Sequence, residues 1–412
     1  LRLSNSQNNE GFKDLIPSFK SEGMKLGLGR IQKVIHRMGN PCEGIPAIQI
    51  VGTNGKGSIA CFLESALVKA GIKTGCTTSP HLINWCERIR IDGTMISEEK
   101  FCESIKTIKS LSQLDQLTPF ELVIASAFKY FSTNQVKIMI LEAGLGGRLD
   151  ATTVHSYRPL IAMAGIGLDH CEHLGKNIKE ITKEKAAVIS PGCTVISSKQ
   201  STEVTKILEE VVETNNAKIV WVEPLCEKWN LGIDGDIQRQ NASIAKALLE
   251  ELPKIGLEIN IHQIKEGFAS ANWPGRLQKT TWKNLPLILD GAHNSHAIKQ
   301  LAKERSNWSQ KDACINWIIG IQKQKDAETM LRYLLKENDI AWVVPVPNHE
   351  SWKKDDFVNV GSDFFYQLRE SEGVEEVLEI FRSRNRWPSP SPVVTGSLYL
   401  IGHLLQTIYK QP

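Results

Sequence analysis

Along the chain, short apolar runs alternate with longer stretches whose apolar residues recur every three or four positions. Runs of the first kind occupy 47–51 (AIQIV), 136–141 (VKIMIL), 159–164, 193–197 (CTVIS) and 217–222 (AKIVWV). Several are apolar on both faces, as strands of a sheet covered on both sides must be. After the first run, Ile59, Phe62, Leu63, Ala66, Leu67 and Ala70 recur at helical spacing, and Gly71 supplies a C-terminal stop. Residues 47–71 therefore predict strand, loop, helix, and the alternation as a whole predicts parallel strands joined by crossover helices.

A second alternating series begins near residue 285 with "LPLILDGAHNSHAIKQLAKE", continues through "CINWIIGI" and "IAWVVPV", and ends in "PVVTGSLYLIGHLLQTIY". Between the two series lies "SANWPGRLQKTTWKN", rich in polar and turn-forming residues. This predicts two domains, 1–284 and 285–412, which a chain of 412 residues makes natural. No repeat of 20–50 residues is visible, so a solenoid is excluded.

Composition narrows the partners. With 49 basic and 46 acidic side chains, the net charge of +3 is too small for a nucleic-acid or anionic-membrane surface. Small-molecule partners, no nucleic acid, no membrane and a monomeric state are expected. Nine cysteines without a C-x-x-C pair argue against a disulfide framework and a thiolate zinc site. No apolar run approaches the roughly 20 residues of a membrane span, and the first residues lack the layout of a secretory signal. A cytoplasmic location is expected.

The chemistry concentrates at the predicted strand ends. In "GTNGKGS", residues 52–58, glycines let backbone N–H groups converge on phosphate oxygens, the next helix offers its positive end, and Lys56 adds a mobile charge. The usual pattern has Lys followed directly by Ser or Thr; here Gly57 intervenes before Ser58. Glu142 lies just past a strand, where a carboxylate is placed to hold magnesium or to cap the next segment. Asp169 and His170 repeat the arrangement in "GIGLDHCEHLG". Lys183, Glu184 and Lys185 form a charge cluster that, taken alone, reads as a solvated helix face. Asp290 and His293 sit at a strand-to-helix junction in the second series, where Asp290 would serve a site or cap the helix.

Taken in order, "VGTNGKGS", "TTSPHL", "ERIRIDG", "LEAGLGGRLDATT", "LDHCEHLG", "EKAAVI", "NWPGRLQ", "LDGAHNSHA" and "VVTGSLYLIG", preceded by "KLGLGRIQKVIHRMGNP", resemble the folylpolyglutamate synthase and dihydrofolate synthase family, a branch of the Mur-type amide ligases. The pieces span residue 24 to about 405, collinear with the family. The resemblance implies a Mur-ligase-like α/β fold: a P-loop ATPase-type parallel-sheet N-terminal domain and a smaller Rossmann-like C-terminal domain that carries the glutamate-ligase part. It implies ATP and Mg2+ as cofactors. It assigns Thr53, Asn54, Gly55, Lys56, Gly57 and Ser58 to the ATP phosphates, joined across a domain cleft by Asn241, Arg276, Asp290 and His293. It also implies magnesium at Ser58, Ser79, Glu142 and His170, a carbamylated Lys185, a pterin contact at Pro80, His81, Asp150 and Ala151, and a glutamate contact at Ser397. Lys56, Lys185 and His293 would be catalytic.

The implied reaction passes the γ-phosphoryl group of ATP to a pteroate or folate carboxylate, and L-glutamate's amine attacks the acyl phosphate. Dihydropteroate and reduced folates are both expected as acceptors. A sister Mur-type ligase and, from another class, a non-catalytic nucleotide switch are the alternatives. The chain departs from the family at Thr153 (usually Asn), Ala187 (Gly), Ser295 (Pro), Ile237 (His) and Gln324 (Asp).

Overall fold

The computed structural model describes residues 12, 15, 16, 26–112, 115–308, 313–360, 363–383 and 387–409, so Met24 and Lys25 at the start of the family resemblance lie outside the described residues. The chain divides into two compact units, 1–232 with 238–272, and 233–237 with 273–412.

In the first unit the described strands are β1 (Ala47–Val51), β2 (Thr74–Thr77), β3 (Ile89–Ile91), β4 (Thr94–Met95), β5 (Ile138–Glu142), β6 (Leu160–Met163), β7 (Thr194–Ser198) and β8 (Lys218–Val222). They form one sheet in the order β4-β3-β2-β5-β1-β6-β7-β8. All pairs from β2 to β8 are parallel, and β3 and β4 add an antiparallel edge. The five predicted strands are all present.

Register brings the strand ends together. Ile50 lies beside Glu142 and Val51 beside Met163, while Thr77 lies beside Leu141. The loops leaving β1, β2, β5 and β6 therefore open on the same edge of the sheet, where ligands bind in open α/β sheets. The helix Lys56–Lys69 follows β1 directly and is gripped by the helix Ile261–Ser270: a Cβ on Gly267 would stand 2.4 Å from Ala66 Cα. Phe62 and Phe268 meet in the same contact, ring centroids 5.1 Å apart. On another face of the sheet's surroundings, Phe101, Phe128, Phe131, Met139 and Leu141 belong to one buried apolar cluster.

In the second unit, β9 (Gln278–Trp282), β10 (Leu285–Leu289), β11 (Asn316–Ile319), β12 (Ile340–Val343), β13 (Leu368–Glu370) and β14 (Val393–Thr395) form a sheet in the order β13-β12-β11-β14-β10-β9. Only β9 runs antiparallel, as a hairpin with β10. That hairpin draws residues 273–284 into the second unit, upstream of the boundary at 284/285 that the turn-rich composition suggested. The unit is pinned by Asp339, which accepts hydrogen bonds from both terminal nitrogens of Arg305, the Ile315 and Lys336 amides and the Trp317 indole.

Candidate active site

The phosphate-type loop of residues 52–58 hugs its neighbours so closely that two of its glycines are sterically required. A Cβ on Gly52 would lie 2.6 Å from Ala164 Cβ, and one on Gly55 would lie 2.4 Å from Asn241 Oδ1. Gly55 also has φ +95°, the left-handed region that glycine tolerates, and it starts the helix Lys56–Lys69 without a side-chain cap. The first N–H groups of that helix thus lack a capping side chain, the arrangement that receives anions. Lys56 curls back, its Nζ donating to Gly52 and Thr53 carbonyls at 3.3 Å each.

The expected metal residues fall at the same edge. Ser58 is buried, and its Oγ has no hydrogen-bond partner among the described residues. Glu142 is buried at the end of β5 and accepts the Ser79 amide at 3.1 Å, which ties the Ser79–Pro80 turn to the strand end. His170 holds a left-handed φ of +51°, with its amide donating to Asp169 Oδ1 at 3.0 Å. Among the described residues no group of three or more His, Cys, Asp or Glu gathers to hold a metal ion. Magnesium requires less: it keeps several waters and phosphate oxygens and takes only one or two protein carboxylates. A serine hydroxyl without a partner among the described residues and a buried glutamate at the same sheet edge fit that demand; the histidine is the least typical of the set.

Lys185 overturns the reading of its charge cluster as a solvated face. Lys183 is exposed, but Lys185 is buried and donates from Nζ to the Gly52 carbonyl at 2.9 Å. Burial, and then the charge of Lys56, push its pKa down from 10.5 to about 7. A lysine in this state is nucleophilic at neutral pH, as carbamate formation demands. Its helix, Ile178–Ala186, is set by the glycines of "GLGG": a Cβ on Gly147 would stand 2.9 Å from the carbonyl oxygens of Glu184 and Lys185.

Asp150 and Ala151 shape this loop from inside. Asp150 is buried, receives the Gly144 and Leu145 amides on Oδ2 and the Thr152 amide and hydroxyl on Oδ1, so its acceptor positions are used within the loop. Ala151 belongs to the apolar core. The expected pterin contact at these two side chains is not what their surroundings display. Pro80, by contrast, is exposed, and half-buried His81 accepts Arg88 Nε–H on Nδ1 at 2.8 Å, with burial and then Arg88 holding its pKa well below the usual value.

Thr53 is occupied too: its hydroxyl bonds the Gly167 main chain, and its amide the Gly165 carbonyl. Asn54 donates its amide to the same carbonyl. Asn241 reaches the loop over Gly55, its Nδ2 donating to Gln238 Oε1 at 2.9 Å.

In the second unit, Arg276, Asp290, His293 and Ser397 cluster where β10 and β14 end. Asp290 accepts the Leu277 and Ala292 amides at 3.0 and 2.9 Å, and burial raises its pKa against the opposing charge of Arg276. The helix after it is capped by Asn294, so Asp290 is not that cap. A Cβ on Gly291 would lie 2.7 Å from an Arg276 terminal nitrogen. His293 Nδ1 pairs with the Gly291 carbonyl at 2.8 Å, and buried Ser397 accepts the Tyr399 amide.

Sequence reasoning missed a buried polar network behind the "LDATT" loop. Gln49, in the middle of β1, donates to the hydroxyls of Thr152 and Thr153 at 3.0 and 2.7 Å and accepts from Arg158. Thr153 in turn donates to the Gly147 carbonyl at 2.8 Å. The signal was present: one glutamine inside an otherwise apolar five-residue strand.

The family model for the C-terminal domain of dihydrofolate synthetase matches residues 275–407. A probable dihydrofolate synthetase of Schizosaccharomyces pombe is 30% identical, over 92% of this chain and 98% of its own length. A dihydrofolate synthase/folylpolyglutamate synthase of Bacillus subtilis is also 30% identical, over 93% and 95%. Among solved structures, Escherichia coli FolC in complex with DHPP and ADP aligns with a TM-score of 0.84 at 27% identity over 97% of each chain. The bifunctional enzyme of Yersinia pestis complexed with AMPPNP and Mn ion aligns at 0.81 with 26% identity, over 94% of this chain and 95% of that one. A glycine–lysine loop at the edge of a parallel sheet, followed by a second α/β unit, defines an ATP-dependent ligase of the Mur type. The chain belongs to the dihydrofolate synthase/folylpolyglutamate synthase family.

Proposed function

We propose that this enzyme joins L-glutamate to the carboxylate of dihydropteroate and also extends reduced folates, each time through an acyl phosphate made from ATP. A carboxylate is a poor electrophile with no competent leaving group, so the γ-phosphoryl group must be transferred to it before an amine can form the amide. The observation that supports this most is the convergence at one sheet edge of the 52–58 loop, the orphaned Ser58 hydroxyl, Glu142 and buried Lys185.

In this reading Lys56 and the first amides of its helix offset charge on the phosphates. Ser58, Ser79, Glu142 and His170 would hold Mg2+, which when bound neutralises phosphate charge. Lys185 takes up CO2 as a carbamate and presents an anion toward that metal site. Asn241 orients against the nucleotide, and Arg276, Asp290 and His293 serve the nucleotide from the second unit, with Ser397 on the glutamate. Pro80 and His81 meet the folate; Asp150 and Ala151 hold the loop beneath it.

The same proposal places a monomeric enzyme in the cytoplasm with only small-molecule substrates. All nine cysteines are free, and no described helix is long and apolar enough to cross a membrane. The test is to supply ATP, glutamate and either dihydropteroate or tetrahydrofolate to the purified protein. Dihydrofolate and an extended folate, each detected by mass spectrometry with stoichiometric ADP, are expected. Product from tetrahydrofolate alone would remove the dihydrofolate synthase half, and product from neither would remove the reading.

A further inference from the structure

The loop that follows β6, residues 164–170, carries Asp169 and His170 yet contains glycines at 165 and 167, so its own backbone does little to hold it. Two neighbours fix it from opposite sides. On one side the Gly165 carbonyl receives the Thr53 and Asn54 amides at 2.8 and 3.2 Å, and the Thr53 hydroxyl bonds both main-chain groups of Gly167. On the other side stands Gln200, just beyond β7. Its Nε2 donates to the Ala164 carbonyl at 3.2 Å and its Oε1 accepts the Ile166 amide at 3.3 Å. A carboxamide that bonds the carbonyl of one residue and the amide two positions later makes the pair of bonds an adjoining strand would make. It continues the sheet by one rung after β7 has left it.

Gln200 is itself held. Its Nε2 also donates to Ser197 Oγ at 3.2 Å, and that buried hydroxyl is tied to the Met163 and Ser198 carbonyls at 3.0 Å each. The clamp is thus built on two strands and does not depend on the loop it holds.

We propose that Gln200 is a positioning residue for nucleotide binding: it presets the 164–170 loop, and through Gly165 and Gly167 the stem of the phosphate loop, in the conformation that receives ATP. The inference rests on the ATP reading of residues 52–58. Without Gln200 the loop must be ordered at the moment of binding, so the loss falls on affinity and leaves turnover at saturation intact.

The experiment compares the unmutated protein with Gln200→Ala, Gln200→Met and Gln200→Glu. Binding of AMPPNP with magnesium is measured by calorimetry, KM and kcat for ATP by turnover, thermal stability by circular dichroism, and exchange of the 164–170 amides by hydrogen–deuterium exchange without nucleotide. Loss of the two hydrogen bonds to the loop is expected to weaken AMPPNP and raise KM about tenfold in the Ala and Met variants. Gln200→Glu, which keeps the acceptor for Ile166 and loses the donor for Ala164, should fall between. kcat and melting temperature should stay close to the unmutated values, with faster exchange confined to the loop. Affinity unchanged within twofold, or lost only in step with melting temperature, overturns the proposal. If the unmutated protein binds no AMPPNP, the ATP reading fails instead; unchanged loop exchange in the variants would then dispose of the clamp separately.

Discussion

Replacing Lys185 by Met tests the feature that distinguishes this site from a generic phosphate loop. With a folded pKa of about 7 against 10.5 for an ordinary lysine, about half of the amines are neutral at pH 7, compared with roughly one in several thousand for a solvated lysine. The sign of the linked stability follows. Between these two values the unfolded chain holds a proton that the folded protein does not, so stability rises with pH across the window and is lost as pH falls through 7. The whole effect is about 4–5 kcal/mol, and about 2 kcal/mol of it is recovered between pH 7 and pH 9. Lys185→Met removes that titration while filling the same space. In urea denaturation without bicarbonate, the stability of the unmutated protein relative to Lys185→Met should therefore increase by about 2 kcal/mol from pH 7 to 9. A difference constant across that range would refute the buried, depressed amine and return Lys185 to the solvated face. The chemical counterpart is a carbamate signal from 13C-bicarbonate by NMR that Lys185→Met abolishes along with activity.

Other expectations rest on separate features. Lys56→Ala should lower kcat/KM by about 10²–10³-fold, as loss of one preorganised donor to phosphate does, with little loss of melting temperature, because among the described residues its Nζ bonds only its own loop. Glu142→Gln keeps an acceptor for the Ser79 amide and should raise the magnesium needed for half-maximal rate at least about tenfold; superimposable titrations would make Glu142 structural. Asp339→Ala leaves Arg305 buried without its counter-ion and should destabilise by about 3–5 kcal/mol in denaturant titration.

Much of the first unit was legible because several of its parallel strands are apolar on both faces, and the five predicted runs became β1, β5, β6, β7 and β8. β2 escaped because it reads TGCT. Its glycine is there for packing: a Cβ on Gly75 would lie 2.7 Å from the Phe131 ring. β9 escaped because QKTTW is polar at its first four positions and apolar only at Trp282, as an edge strand half exposed to water can be, and the turn residues before it looked like a linker. The site was legible as loops, since glycines, a lysine and carboxylates at strand ends form contiguous motifs. Burial of a charge is not contiguous. Lys185 is driven into the interior by Gly52 and Gly147, residues 133 and 38 positions away in the chain, and no local pattern records that.

The departures from the family pattern can be weighed one by one against the same geometry. Ala187 ends its helix at φ −65°, where glycine has no advantage. Ser295 takes the first helical position after the Asn294 cap, a place proline favours without being required. Thr153 uses its one hydroxyl both to accept from Gln49 and to donate to Gly147, the two roles an asparagine would divide between its oxygen and nitrogen. Nothing in the structure explains Ile237 or Gln324. The three substitutions that touch the loop and helix around Lys185 and the helix after Asp290 thus preserve the contacts that shape them. A ligase with a second half-site needs a defined Asp290 turn, which a nucleotide switch would not, and here that turn is held by the Leu277 and Ala292 amides on Asp290 and by Asn294 capping the next helix.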